Sequence, residues 1–269
     1  MLTVKEVYEA IDAFAPFASQ ESWDNSGLLV GGMAQPADRI LTTLDISEAI
    51  VAQAVAEQVQ LVVAHHPVIF SPLKTLPPDS PVYQLAAHGI AAICVHTPLD
   101  MAPLGLNTFA HTLLEKPLAL QGTQEVLEPS WTDGRGFGWI DTSARTWTPQ
   151  TLAQTLQTAF GEVRYSAAER SIRKIAYCSG SAASMLELAA AKGCDALITG
   201  DIKHDRWYAA EFSGIALFDC GHYGTERFAA GNSGNYQAVS KRAGAGADSE
   251  CPPDSRCDCT VFCQRAHGT

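Results

Sequence analysis

The sequence predicts an α/β protein built from two related α/β lobes with mostly parallel sheets, and three observations carry that reading. Short apolar runs alternate with stretches of helical periodicity along the 269 residues, the pattern of strand–helix–strand units. The runs form two groups of three, residues 40–46, 61–64 and 90–95, then residues 172–178, 196–199 and 215–218. In each group a helical stretch, 48–58 or 182–192, separates the first two runs and follows Ser47 or Ser181 as N-cap. Aligned on this order, Leu61-Val62-Val63-Ala64-His65-His66 matches Ala196-Leu197-Ile198-Thr199-Gly200-Asp201, and Gly89-Ile90-Ala91-Ala92-Ile93 matches Gly214-Ile215-Ala216-Leu217-Phe218. The lobes therefore read as a duplication.

The segment between the groups opens with turn signals, Glu128-Pro129-Ser130 and Thr132-Asp133-Gly134, before a short strand at 136–140. Thr148-Pro149 then caps and starts a helix that runs to Phe160. The expected organisation is a first lobe over 1–125, a second over 126–232 and an atypical, disordered tail over 233–269. Residues 235–240 are the one stretch of that tail read as a candidate edge strand, and 244–263 offers no evident strand. Four cysteines, Cys251, Cys257, Cys259 and Cys263, crowd into it, but the Cys257-Asp258-Cys259 gap is tighter than a structural zinc knuckle, which disfavours a zinc site with His267. The other four, Cys94, Cys178, Cys194 and Cys220, lie in or beside apolar runs, as reduced thiols of a cytoplasmic protein do.

Composition narrows the function classes. With 46% hydrophobic and 17% charged residues the chain can bury a sizeable core, which excludes disorder and collagen. Acidic residues outnumber basic ones by 29 to 18, and the net charge of −11 opposes general attraction to nucleic acid or to anionic membranes. No apolar run approaches the roughly 20 residues of a membrane span. The amino terminus has no basic segment leading into an apolar one, so a cytoplasmic location is expected.

Ligand-type side chains gather just after the strands: His65 and His66, then His96 and Asp100, then His222 and Glu226. In open α/β sheets ligands bind outside the carboxyl ends of the strands. Pro67 turns the chain after the His pair, so the two imidazoles are expected to diverge and to suit two ions better than one. A hydrogen-bonded pair of strand-end histidines is the alternative. His222 and Glu226 are spaced i, i+4 on one helix face, where a carboxylate can bridge two metals or form an ordinary surface pair.

At these residues the sequence resembles a known family, the NGG-interacting factor three-like proteins, called GTP cyclohydrolase type two homologues in bacteria. The resemblance is carried by Glu21-Ser22-Trp23-Asp24-Asn25-Ser26-Gly27-Leu28-Leu29-Val30-Gly31, Ala64-His65-His66-Pro67, His96-Thr97-Pro98-Leu99-Asp100, Gly200-Asp201-Ile202-Lys203-His204-Asp205 and Asp219-Cys220-Gly221-His222-Tyr223-Gly224-Thr225-Glu226. It implies a dinuclear divalent-metal site at the strand ends of two α/β lobes and a homo-hexamer built as a trimer of dimers. By position, the metal ligands are His65, His66, Asp100, His222 and Glu226, with His96 and Asp24 lining the substrate side as catalytic candidates. Family members finish with a helix and a final strand, and there this sequence departs, since Gly231-Asn232-Ser233-Gly234-Asn235 interrupts the helix.

Two function classes follow. The first is a metal-dependent hydrolase in which metal-activated water attacks a nucleotide-like or other small substrate, with His96 or Asp24 moving the proton or orienting the substrate. The mixed His and carboxylate set favours zinc, manganese or iron over calcium. The second is a non-catalytic metal-binding scaffold or regulator, separated from the first by whether a coordination position stays open.

Overall fold

Aliphatic and β-branched runs become strands wherever the sequence places them between turn residues. The computed structural model describes residues 2–166, 169–230, 245–250 and 259–264. Among these the strands are β1 (Gly27–Val30), β2 (Arg39–Thr43), β3 (Leu61–Ala64), β4 (Ala91–Cys94), β5 (Glu125–Pro129), β6 (Gly136–Trp147), β7 (Arg164–Tyr165), β8 (Ile172–Tyr177), β9 (Ala196–Thr199), β10 (Ala216–Asp219), β11 (Ala245–Glu250) and β12 (Cys259–Gln264). All six apolar runs are strands, two of them with the expected ends and the others with ends within three residues of them. No helix among the described residues is long and apolar enough to cross a membrane.

The strands form two six-stranded sheets, ordered β11-β12-β2-β3-β4-β1 and β5-β6-β8-β9-β10-β7. In the first, β2, β3 and β4 are mutually parallel, with β12 antiparallel on one flank and β1 antiparallel on the other. In the second, β8, β9 and β10 are parallel, with β6 and β7 antiparallel on the flanks. Strand for strand the two schemes coincide, and the correspondence of β3 with β9 and of β4 with β10 is the one read from the sequence. Central parallel strands are covered on both faces, so β3, β4, β9 and β10 are buried at every position.

By its contacts the chain divides into two units, Met1–Leu99 with Arg227–Thr269, and Asp100–Glu226. The expected boundaries near residues 125 and 232 differ from these. The helix Leu106–Glu115 packs on β6 and so falls in the second unit, and the carboxyl-terminal segments add strands to the first.

The disordered-tail reading is corrected at two segments: β11 and β12 are strands, and β12 pairs with β2 from Cys259↔Thr43 to Cys263↔Arg39. Unpaired N–H and C=O groups along β2 provide the reason, since a buried strand must find a partner for both edges. The candidate edge strand at 235–240, the helix break at 231–235 and two residues of the disfavoured zinc site, Cys257 and His267, lie outside the described residues, as does Cys251.

In the first unit Ile50, Val51 and Ala54 of helix Glu48–Ala56 pack against Leu41, Val62 and Ala92 of the sheet. Ser47 caps this helix, its hydroxyl accepting from the Ile50 amide at 3.3 Å. Ser181 does not play the matching part. The matching helical stretch of the second unit begins with a short 3-10 turn, Ala183–Met185, that passes into helix Leu186–Ala191 without a side-chain cap. Helix Pro149–Phe160 starts and ends as the sequence indicates, with Thr148 and Thr151 closing a capping box. The strand expected at 136–140 extends to Trp147.

One buried polar knot fixes the second unit. The Asp141 carboxylate has no exposed surface and accepts from His111 Nε2 at 2.9 Å, the Thr142 amide at 2.6 Å, the Gly122 amide at 3.0 Å and the Thr123 hydroxyl at 3.1 Å. Burial raises its pKa, but the hydrogen bonds from His111, Thr142 and Thr123 outweigh that and hold it below the usual carboxylate range. A depressed carboxyl contributes stability above its unfolded pKa, and that contribution is lost as pH falls through the folded value. Asp141→Ala is therefore expected to cost about 3 kcal/mol at pH 7, or roughly 6–12 °C in midpoint. The gap from wild type should narrow below about pH 4. Thermal melts at pH 7 and pH 3 check both, and a gap independent of pH would contradict the charged role.

Candidate metal centre

In the first unit the ladder between β2 and β3 continues one step past the strands, with His65 N bonding Thr43 O at 3.2 Å and His66 N bonding Leu44 O at 3.0 Å, before Pro67 ends it. His65 is fully buried, and its Nδ1 lies 3.0 Å from Val95 O. His66 Nδ1 lies 2.7 Å from Asp45 Oδ1 on the turn after β2. His96, just past β4, places Nδ1 2.8 Å from Asp24 Oδ1. Carbonyl and ionised carboxylate oxygens only accept, so Nδ1 carries the hydrogen in all three rings and the neutral imidazole presents its lone pair at Nε2.

Metal-ligating histidines are oriented in this way, the outer nitrogen donating to a carboxylate or carbonyl. The His65 and His66 rings are held by different partners, Val95 O and Asp45, with their planes tilted by 41°. His65 and His66 have centroids 5.0 Å apart, and ligand-type atoms of His65, His66 and His96 all lie within 4.8 Å of one another. His96, expected beside the ligands, stands among ligand-type atoms itself.

Asp24 has no exposed side-chain surface, and its second oxygen accepts from Thr97 Oγ1 at 2.5 Å, Thr97 N at 3.1 Å and Ser26 Oγ at 2.9 Å. Burial raises the Asp24 pKa, but the bonds from His96, Thr97 and Ser26 dominate and hold the carboxyl far below the usual range. Asp24 is thus a permanent anion that fixes the His96 ring.

In the second unit His222 opens the short helix His222–Glu226, its Nδ1 2.8 Å from Asp201 Oδ2 and its Nε2 2.9 Å from Glu226 Oε2. The i, i+4 pair is formed as the spacing predicts. The Glu226 side chain is only 4% exposed, so this is no surface pair. Asp201 sits at φ 51°, a left-handed conformation uncommon outside glycine and found at functional sites, which turns its carboxylate toward His222. Two glycines are required by close approach. A Cβ on Gly180 would strike the Glu226 carboxylate, and one on Gly200 would lie 2.6 Å from His222 N.

Asp100 accepts from Ser179 Oγ at 3.3 Å, and Asn107 ties the Asp100 carbonyl (3.1 Å) to the Ser179 amide (3.0 Å). Ser179 and Gly180 therefore set Asp100 and Glu226 against consecutive backbone positions. Sequence reasoning assigned no role to Asp45, Asp201, Ser26, Thr97, Ser179 or Gly180. The two aspartates had a signal: each stands at the end of a parallel strand whose neighbour ends in a histidine.

A family model described as Duf34/NIF3 (NGG1p interacting factor 3) matches residues 2–240. The chain belongs to the Duf34/NIF3 family. Among relatives, it is 35% identical over 234 residues to the GTP cyclohydrolase 1 type 2 of Helicobacter pylori, an alignment covering 84% of this chain and 88% of that protein. It is 32% identical over 238 residues to the GTP cyclohydrolase 1 type 2 homolog of Streptococcus pneumoniae, covering 82% and 85%. The crystal structure of a Bacillus cereus protein related to NIF3 shares the fold, with TM-score 0.81 at 18% identity over 90% of this chain and 93% of that one. HcgD from Methanocaldococcus jannaschii has TM-score 0.73 at 23% identity, again over 90% and 93%.

Proposed function

We propose that this Duf34/NIF3 chain is a divalent-metal-dependent hydrolase acting on a nucleotide-like small molecule, with His65, His66, Asp100, His222 and Glu226 as ligands of two ions. The observation that carries the reading is the way His65, His66 and His222 each give Nδ1 to a carbonyl or aspartate, the arrangement that prepares Nε2 to bind a metal. Imidazoles with carboxylates fit zinc, manganese or iron, and when bound such ions lower the pKa of water and stabilise a developing oxyanion.

The chain's own residues supply the rest. Asp24 holds His96 with Nε2 as a base, so His96 accepts a proton at Nε2 and returns it to the leaving group, and Asp24 stabilises the imidazolium in between. Asp45 and Asp201 orient His66 and His222. The names of the relatives support a purine nucleotide as the substrate class. Four buried free thiols, Cys94, Cys178, Cys194 and Cys220, support a cytoplasmic location. Tyr208 and Phe212, 58% and 93% exposed one helical turn apart, support assembly into the expected homo-hexamer.

The test pairs metal analysis with turnover. Wild type loaded with zinc, manganese or iron is expected to hold two ions and to hydrolyse a member of a nucleotide panel. Asp24→Asn should keep both ions while kcat falls roughly 100-fold or more, because the neutral amide no longer fixes the His96 tautomer. A stoichiometry of one or below rejects the dinuclear site. Two ions without turnover of any panel member would leave the non-catalytic scaffold as the reading.

A further inference from the structure

Two large aromatic side chains of the first unit stand in water beside the histidine cluster. Trp23 is 56% exposed and Phe70 52% exposed, with ring centroids 6.2 Å apart and planes tilted by 43°. Both meet the His96 imidazole edge-on, Trp23 at 5.8 Å and 78°, Phe70 at 6.3 Å and 77°. Exposed aromatic area is costly to leave in water, and most of the chain's large apolar groups are buried.

Neither ring sits on a loose segment. Asn25 Nδ2 donates to Ile69 O at 2.5 Å, which ties the residue after the Trp23-Asp24 pair to the residue before Phe70. The Glu21 amide donates to Thr97 Oγ1 at 3.1 Å, and Asp24 binds His96 and Thr97, so residues 21–26 are clamped to the end of β4. The pair is therefore preorganised, and a ligand that covers it spends little ordering entropy.

We propose that Trp23 and Phe70 form a stacking site for a planar heteroaromatic ring of the purine type, whose edge is read by His96. A ring lying flat on Trp23 is nearly perpendicular to the His96 imidazole and can bring an edge within reach of its Nε2, with Phe70 beside it. Since His96 gives its Nδ1 hydrogen to Asp24, its Nε2 is an acceptor. The matching edge carries an N–H or an exocyclic amine, which selects guanine-like or adenine-like rings over a purine without such donors. This assignment rests on the small-molecule reading above and adds what holds the substrate and which edge is recognised.

Guanosine binding to the full-length chain is measured by calorimetry, in metal-loaded and chelator-treated samples whose metal content is determined. Trp23→Leu and Phe70→Leu are each expected to weaken guanosine roughly tenfold or more, as loss of a base-stacking ring does. Trp23→Phe should stay close to wild type. Tyr83→Leu, an exposed aromatic on helix Pro81–Ala87, should change nothing. Purine riboside, which lacks base N–H donors, should bind more weakly than guanosine, and ribose 5-phosphate should not compete. Thermal midpoints near wild type show that the variants fold.

The proposal is overturned by guanosine affinity unchanged in Trp23→Leu, by ribose 5-phosphate competing as well as guanosine, or by no guanosine binding at millimolar concentration in either sample. Failure of wild type to take up metal would instead count against the hydrolase reading, and the chelator-treated titrations would still decide the stacking site.

Discussion

Glu226→Gln is expected to abolish most of the thermal stabilisation that added zinc or manganese gives the wild-type chain. The Glu226 carboxylate is nearly buried, 2.9 Å from His222 Nε2 and packed against Gly180. Replacing it by an amide keeps the volume and removes the anionic charge that a divalent ion meets there. A metal at 100 times its Kd stabilises the native state by about 2.7 kcal/mol, or roughly 5–10 °C for a chain of this size. The variant should lose most of that shift, with a fall of roughly 10–100-fold or more in affinity.

Without metal the order should change. A buried carboxylate is costly to keep charged, so the metal-free variant should melt no lower than metal-free wild type. Glu211, exposed on helix His204–Ser213, provides the comparison, and Glu211→Gln should keep the full metal-induced shift. Equal shifts in the two variants would remove Glu226 from the ligand set. A metal-free Glu226→Gln chain that melts far below wild type would mark Glu226 as structural instead.

The parts of this site that the sequence discloses are those in which one side chain and one strand end suffice. His65, His66, His96 and His222 follow apolar runs whose termini are evident from Pro67, Thr97-Pro98 and Gly221, and the i, i+4 spacing of His222 and Glu226 needs only a helical turn. What the sequence does not disclose is set by neighbours far along the chain. Asp45 meets His66 and Asp201 meets His222 across 21 residues because adjacent parallel strands end side by side, a fact of strand order rather than of spacing. Gly180 is a similar case. Its local sequence, Ser179-Gly180-Ser181, reads as an ordinary turn, and only the approach of Glu226 shows why a Cβ is excluded. The His65 and His66 rings are likewise held by distant groups, Val95 O and Asp45, which no local spacing discloses.

The carboxyl-terminal strands lead to the second large expected effect, which reverses what the sequence alone indicates. The sequence shows no periodic apolar face beyond Ala243, which by itself predicts that truncation there leaves the fold intact. In the structure β12 covers the edge of β2 through five register pairs, and four of the five β2 residues are buried. Cutting after Ala243 strips that edge of its partner and leaves a flat, apolar strand open to another chain. It also removes the hairpin that corresponds to β5-β6 of the second unit, so the first unit is left with four of its six strands. The truncated chain is therefore expected to melt roughly 10 °C or more below full length and to associate, as seen by light scattering. A shorter cut after Gln264 keeps β12 whole and should behave as full length does. The segment Cys259–Gln264 escaped notice because its β-forming centre, Thr260-Val261-Phe262, is three residues long and flanked by cysteines and charges, too short to show alternation. If the chain cut after Ala243 keeps its midpoint and its mass distribution, pairing with β12 contributes nothing to the stability of the first sheet.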